Sequence, residues 1–131
     1  MLIEGLNKAS KEIYEANKLK GFDVAESNIG QTLMLIVSEV AEAMEADRKS
    51  KHADIRRCLF NCESQQVHGD LLTFKDSFEI SIKDTFEDEI ADIAIRLFDL
   101  CGAFKIDIEK HIDLKLKYNS LRDYKHGGKK Y

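Results

Sequence analysis

At 131 residues, with 44% hydrophobic and 34% charged residues and no proline, the chain has the composition of one soluble, helix-rich domain, not of a disordered or membrane-embedded segment. A net charge of −4 without a basic face argues against a general nucleic-acid binder. The longest apolar run, Leu33 to Val37, is far too short to span a bilayer. The amphipathic, acid-bearing start does not read as a secretory signal. The three cysteines (Cys58, Cys62 and Cys101) are an odd number, which points to a reducing cytoplasm.

Residues 2–19 read as a first helix, because Leu2, Leu6, Ala9, Ile13 and Ala16 recur at three- and four-residue steps, and Gly21 is placed to stop it. A loop over 21–28 follows. Asn28-Ile29-Gly30-Gln31 has the form of a capping box, with Asn28 as N-cap and Gln31 reaching back. It opens a second helix predicted from about Ile29 to Arg48, with the stripe Leu33, Ile36, Val37, Val40 and Met44. Leu33 to Val37 is apolar nearly all round, so this helix is expected to be central.

Residues 49–83 are the least regular part and form an insertion-like segment. Leu72 and Phe74, then Phe78, Ile80 and Ile82, alternate with polar residues around the turn-like Lys75-Asp76-Ser77. That pattern predicts either a small β-hairpin or an irregular excursion. Residues 49–58 either continue the second helix or start a short one. Asp84-Thr85-Phe86-Glu87 offers another capping box, ahead of a helix to about Phe104 with the stripe Phe86, Ile90, Ile93, Ala94, Leu97 and Cys101. A last helix is predicted from about Asp107 to Asp123, with Ile108, Ile112 and Leu116 as its stripe, and 124–131 reads as a flexible tail. The expected fold is therefore all-α: a single domain over 1–131, a bundle of about four main helices.

Two short words within these helices carry the chemistry. Glu39-Val40-Ala41-Glu42 and Glu89-Ile90-Ala91-Asp92 are each acid, β-branched apolar residue, alanine, acid. Residues three apart share a helix face, so each word points two carboxylates the same way. Glu39 and Glu42 lie about 100° and 160° to one side of the stripe centred on Val40, and Glu89 and Asp92 lie at the same angles from Ile90. An antiparallel pair of such helices brings both words to one cleft. Most Glu and Asp residues are spent on solvated faces, and one such word alone is no exception. Two matched words in strongly apolar helices are different, because clustered carboxylates repel and take up protons unless a cation neutralises them. All-oxygen ligands favour magnesium, with manganese as the alternative.

On the last helix, Lys115, Asn119 and Arg122 fall at i, i+4 and i+7. A lysine point charge and an arginine fork suit phosphate oxygens, although a plain solvated basic face has the same pattern. His52, Cys58, Cys62 and His68 fit no common zinc spacing. Cys101 is expected in the core, and His111 and His126 toward solvent.

This ordered set resembles the MazG-like group of all-α nucleoside triphosphate pyrophosphatases. The family's ExxE and ExxD words are matched by Glu39, Glu42, Glu89 and Asp92, and its KxxxNxxR element by Lys115, Asn119 and Arg122. The resemblance covers about residues 25–48 and 84–128. It implies magnesium held by the four acids and cleavage between the α and β phosphates of a (deoxy)nucleoside triphosphate, giving a monophosphate and pyrophosphate. It also implies a homodimer or tetramer of helical bundles. One of the acids, with Glu42 preferred, orients or deprotonates the attacking water, while Lys115 and Arg122 neutralise the leaving pyrophosphate. The chain departs from the compact members in the 46 residues between Glu42 and Glu89, so their base preference does not carry over.

Three alternatives stand beside this reading. A phosphoribosyl-ATP pyrophosphohydrolase shares the chemistry and a related fold. A di-iron carboxylate bundle needs Glu-x-x-His words that neither acidic word supplies. A non-catalytic helical interaction module predicts no turnover. An almost wholly apolar second helix in so short a chain also favours self-association, independently of the resemblance.

Overall fold

The computed structural model describes residues 3–68, 73–122 and 130, with side chains omitted over 63–68. Leu2, Leu72, Asp123 and the tail apart from Lys130 lie outside the described residues. Those described form six α-helices and no strand: α1 Leu6–Leu19, α2 Ile29–Arg48, α3 Ile55–His68, α4 Phe74–Ser81, α5 Phe86–Ala103 and α6 Ile108–Ser120. None of these helices is long and apolar enough to cross a membrane. The chain divides into two compact units, one of residues 1–27 and 98–131 and the other of residues 28–97.

In the first unit, α1 and α6 cap each other. The Asn7 backbone N–H donates to Glu109 Oε1 (3.0 Å), the Asn7 side-chain amide donates to Asp107 Oδ1 (2.8 Å), and the Ile3 N–H donates to Asp113 Oδ1 (3.2 Å). Asp107 is also the N-cap of α6, accepting from the Lys110 N–H, and these bonds hold its carboxyl below the usual range. The far end of α1 is tied to α5 by Asn17 Nδ2 donating to the buried Asp99 carboxylate (2.9 Å). Gly21, at φ 91°, ends α1 as expected.

Gly102 has a different task from the helix stop its position suggests. A Cβ placed there would lie 2.3 Å from the Ser10 carbonyl oxygen and 2.7 Å from Tyr14 Cβ. The last turn of α5 therefore presses directly on the backbone of α1, and only a hydrogen fits between them.

In the second unit, α2 has the predicted bounds, but the Asn28 side chain makes no capping hydrogen bond, and a 3-10 turn over Glu26–Asn28 leads in instead. The cap ahead of α5 sits one residue later than predicted. Thr85 Oγ1 accepts from the Asp88 N–H (3.3 Å), and the Asp88 carboxylate accepts from the Asp84 N–H (3.0 Å).

The insertion is the main correction. It is neither a β-hairpin nor irregular over its described residues, but two helices, α3 and α4, packed on each other. The alternation through Ile82 is overridden at Thr73, whose hydroxyl accepts from the Asp76 N–H while Asp76 accepts from the Thr73 N–H. This complete capping box starts α4, and it places Ser77 and Ser81 in the buried seam. The base of the insertion is closed by hydrogen bonds from Phe86 N–H to the Lys51 carbonyl (2.9 Å) and from Asp54 N–H to the Ser81 carbonyl (2.9 Å). Glu87 adds to it, accepting from the Ala53 N–H (2.8 Å) and bonding His52 Nδ1 (3.0 Å), with the His52 ring edge-on to Phe86.

The close contact at Gly102 yields a paired test. Gly102→Ala should destabilise the fold by about 1–3 kcal/mol or more, because the added methyl meets backbone and cannot be relieved by a rotamer change. Gly30→Ala, where nothing lies within 4 Å of the new Cβ, should be neutral or stabilising by up to about 1 kcal/mol. Urea titrations of both variants against the parent chain measure the two differences.

Candidate metal and phosphate site

Helix α2 turns Glu39 inward and leaves Glu42 exposed. Glu39 is 7% exposed, with Ala43 and Ala46 buried beside it, whereas Val40 and Met44 of the predicted apolar stripe are 49% and 57% exposed. The helix expected to be central thus leaves most of its apolar stripe uncovered within the chain. On α5, Glu89 is 5% exposed and Asp92 is half-buried, while Ile90 faces outward. Carboxylate oxygens of Glu39, Glu89 and Asp92 all lie within 4.8 Å of one another. Asp84, in the turn before α5, forms a second group within 4.8 Å with Asp88 and Glu89 of the first helical turn, so Glu89 is common to both.

Burial and crowding mark these acids. Glu89 is pushed up to about 7, first by burial and then by the charges of Glu42, Asp92, Glu39 and Asp88. Asp92 is also raised, chiefly by burial and then by Asp88 and Glu39, with Arg96 opposing. Glu42 is exposed and outside the close trio, yet it is near enough to act on Glu89.

The counterion in this part of the structure is Arg96, which the motif reading passed over. Its Nε donates to Glu39 Oε1 at 2.6 Å, a charge-assisted contact with one partner almost wholly buried. The signal was present in the sequence: Arg96 lies one turn after Asp92 on α5, at the i+4 spacing that shares a helix face. Arg96 satisfies Glu39. Among the described residues the carboxylates of Glu89 and Asp92 have no hydrogen-bond or ion-pair partner of their own. A buried carboxylate left in that condition either binds a proton or requires a cation.

The basic residues belong to the other unit. Lys115 is exposed on α6, with its ammonium 5.1 Å from the centroid of the Tyr118 ring. Asn119 is half-buried, and its Oδ1 is buried without a hydrogen-bond partner. Arg122 is exposed and lies just past the end of α6, its N–H bonded to the Asn119 carbonyl (3.1 Å). The three are thus not one continuous helical face. Cys101 is buried, as expected, and Cys58 and Cys62 are free thiols.

Comparisons with known protein families, with curated proteins and with solved structures return no match for this chain.

The raised carboxyls set a sign for the pH dependence of the metal-free protein. An acid whose folded pKa lies above its unfolded value binds more protons in the folded state, so stability falls as pH rises. For Glu89 the window runs from about 4.5, its ordinary value, to about 7. Thermal unfolding in a chelator should show the melting temperature declining through that window and then levelling. Glu89→Gln should flatten the decline and leave the protein more stable than the parent above pH 7.

Proposed function

We propose that the chain is a divalent-cation-dependent nucleoside triphosphate pyrophosphohydrolase, releasing pyrophosphate and a (deoxy)nucleoside monophosphate. The observation that carries this reading is the convergence of Glu39, Glu89 and Asp92 within 4.8 Å, with Glu89 buried and its carboxylate unpaired. Both acidic words contribute to that group, as the MazG-like resemblance implies. The donor set suits a hard cation: it is all oxygen and anionic, and more negative than Arg96 alone can balance. Glu39, Glu89 and Asp92, with Glu42 beside them, are the residues that would hold magnesium or manganese. When bound, such an ion polarises a phosphate and lowers the pKa of a water.

The protein's own groups divide the remaining work. Arg96 holds Glu39 in place through its 2.6 Å bond, so Arg96 is a positioning residue. Glu42 is exposed and outside the close trio, which leaves it the carboxylate to orient or deprotonate the attacking water. Lys115, Asn119 and Arg122 are assigned to the triphosphate on the strength of the motif resemblance alone, with Lys115 and Arg122 offsetting charge on the leaving pyrophosphate.

The same reading includes self-association. Leu33, Val37, Val40 and Met44 on α2 and Ile90 and Leu97 on α5 form apolar faces that their own unit does not cover. Exposed apolar faces of this kind support an interface. A second copy of the chain is the simplest cover, which makes the expected unit a homodimer, or a tetramer if two such faces are used.

Two experiments test these statements. Ribo- and deoxynucleoside triphosphates, together with phosphoribosyl-ATP, are incubated with the protein with and without magnesium and the products separated. Monophosphate plus pyrophosphate, produced only with the metal, is the expected outcome, and Glu39→Gln should lower turnover by at least 100-fold (on the order of the loss of one essential charge-stabilising group) while keeping its helical content. Diphosphate plus phosphate, or turnover unaffected by Glu39→Gln, refutes the assignment, and no turnover at all favours an interaction module. In sedimentation, the parent should run as a dimer or larger and Val40→Glu should shift it toward monomer. A parent that stays monomeric at every concentration contradicts the oligomer.

A further inference from the structure

The second unit carries a groove of about 460 Å³ that the acidic motifs do not account for. One wall is α4, presenting Phe74 and Phe78, and the other is the Lys83-Asp84 turn with Asp88 and Asp92 from the first turns of α5. Its size falls within the range of small-molecule sites. Asp92 belongs to this groove and also to the close trio with Glu39 and Glu89, while Asp84 and Asp88 belong to the group that shares Glu89. The groove and the candidate cation site therefore have carboxylates in common.

The aromatic wall is open to the groove. Phe74 is 67% exposed at the first position of its helix, and it meets Phe78 with ring centroids 6.0 Å apart and planes inclined at 48°. The Phe74 ring is neither buried nor needed for the cap, which Thr73 and Asp76 complete without it. Lys83 lines the same groove, and among the described residues its ammonium has no ion-pair partner, whereas Lys75 at the edge is paired with Glu79 at 3.9 Å. An open aromatic face, a free ammonium and a row of carboxylates suited to cations together fit one kind of ligand: a flat π system joined to a metal-bound polyanion.

We infer that this groove is the nucleoside subsite, in which Phe74 and Phe78 take the base and Lys83 an oxygen of the base or phosphate chain. The inference rests on the pyrophosphohydrolase reading and adds to it a specificity role for the α3–α4 insertion. Base–aromatic stacking tolerates any base. Discrimination among bases then falls to the polar groups of the groove, Lys83 and Glu79.

The test compares ligands that share phosphates and differ in the base. Affinities are measured by calorimetry in magnesium for the α,β-methylene triphosphates of adenosine, guanosine, cytidine and uridine, and for inorganic tripolyphosphate. The parent protein should bind at least one nucleoside analogue more tightly than tripolyphosphate. Phe74→Ala should weaken that analogue by about 5- to 160-fold, the range of one lost stacking contact, and leave tripolyphosphate unchanged. Phe74→Trp should restore the preference. Because the chain has no tryptophan, its indole emission reports the groove directly and should be quenched by the nucleoside analogue but not by tripolyphosphate. Tripolyphosphate binding with no effect of Phe74→Ala on the nucleoside analogue, or an equal loss of both ligands, overturns the subsite and spares the broader reading. A change in self-association without a change in the ligand ratio also overturns it, by making the groove a contact between copies. Absence of any magnesium-dependent polyphosphate binding in the parent overturns both.

Discussion

An excess of negative charge in a place that water barely reaches is the constraint on which the second unit depends. Glu39 and Glu89 are buried, Asp92 is half-buried, and among the described residues a single guanidinium, that of Arg96, bonds one of them. The arrangement is tolerable in part because Glu89 and Asp88 stand in the first turn of α5, where the helix dipole favours anions. Burial and the neighbouring carboxylates push Glu89 and Asp92 up, which eases protonation of the group. A fold optimised only for stability would replace such a group with apolar side chains. The group stands where α2 and α5 bring Glu39, Glu89 and Asp92 within 4.8 Å of one another.

The same constraint decides which way α2 faces. Turning Glu39, Ala43 and Ala46 inward turns Val40 and Met44 outward. A helix with Glu39 on its inner face and apolar residues on its outer one is inverted relative to an ordinary amphipathic surface helix.

Much of this was legible in the sequence, and the rest failed for identifiable reasons. The bounds of α2 and α5, the start of α6 and the shared face of each acidic word follow from three- and four-residue periodicity, which a long helix repeats many times, whereas α6 ends at Ser120, short of the expected Asp123. Periodicity gives faces but not their direction, so it does not show that the Glu39–Arg96 bond draws Glu39 in and leaves the apolar stripe of α2 uncovered. The insertion misled because α4 is only eight residues long, too short for a helical period to outweigh the alternation of Phe78, Ile80 and Ile82. The Thr73–Asp76 capping pair was the readable signal there. Arg96 was missed because attention to acids ignored the cation one turn away, and Gly102 because a close approach of two backbones leaves no trace in a single helix's pattern.

The bonds at the base of the insertion carry a consequence of another kind. Lys51 and Phe86, and Asp54 and Ser81, are joined across the points where the excursion leaves and rejoins the body. A chain segment closed at its neck costs little in closure entropy to lengthen or shorten, since the cost grows only logarithmically with its length. The α3–α4 pair is thus an exchangeable cassette. Its helices can drift in sequence, be rebuilt or be trimmed, while the two strokes of backbone at the neck keep α2 and α5, and the acids they bear, in register.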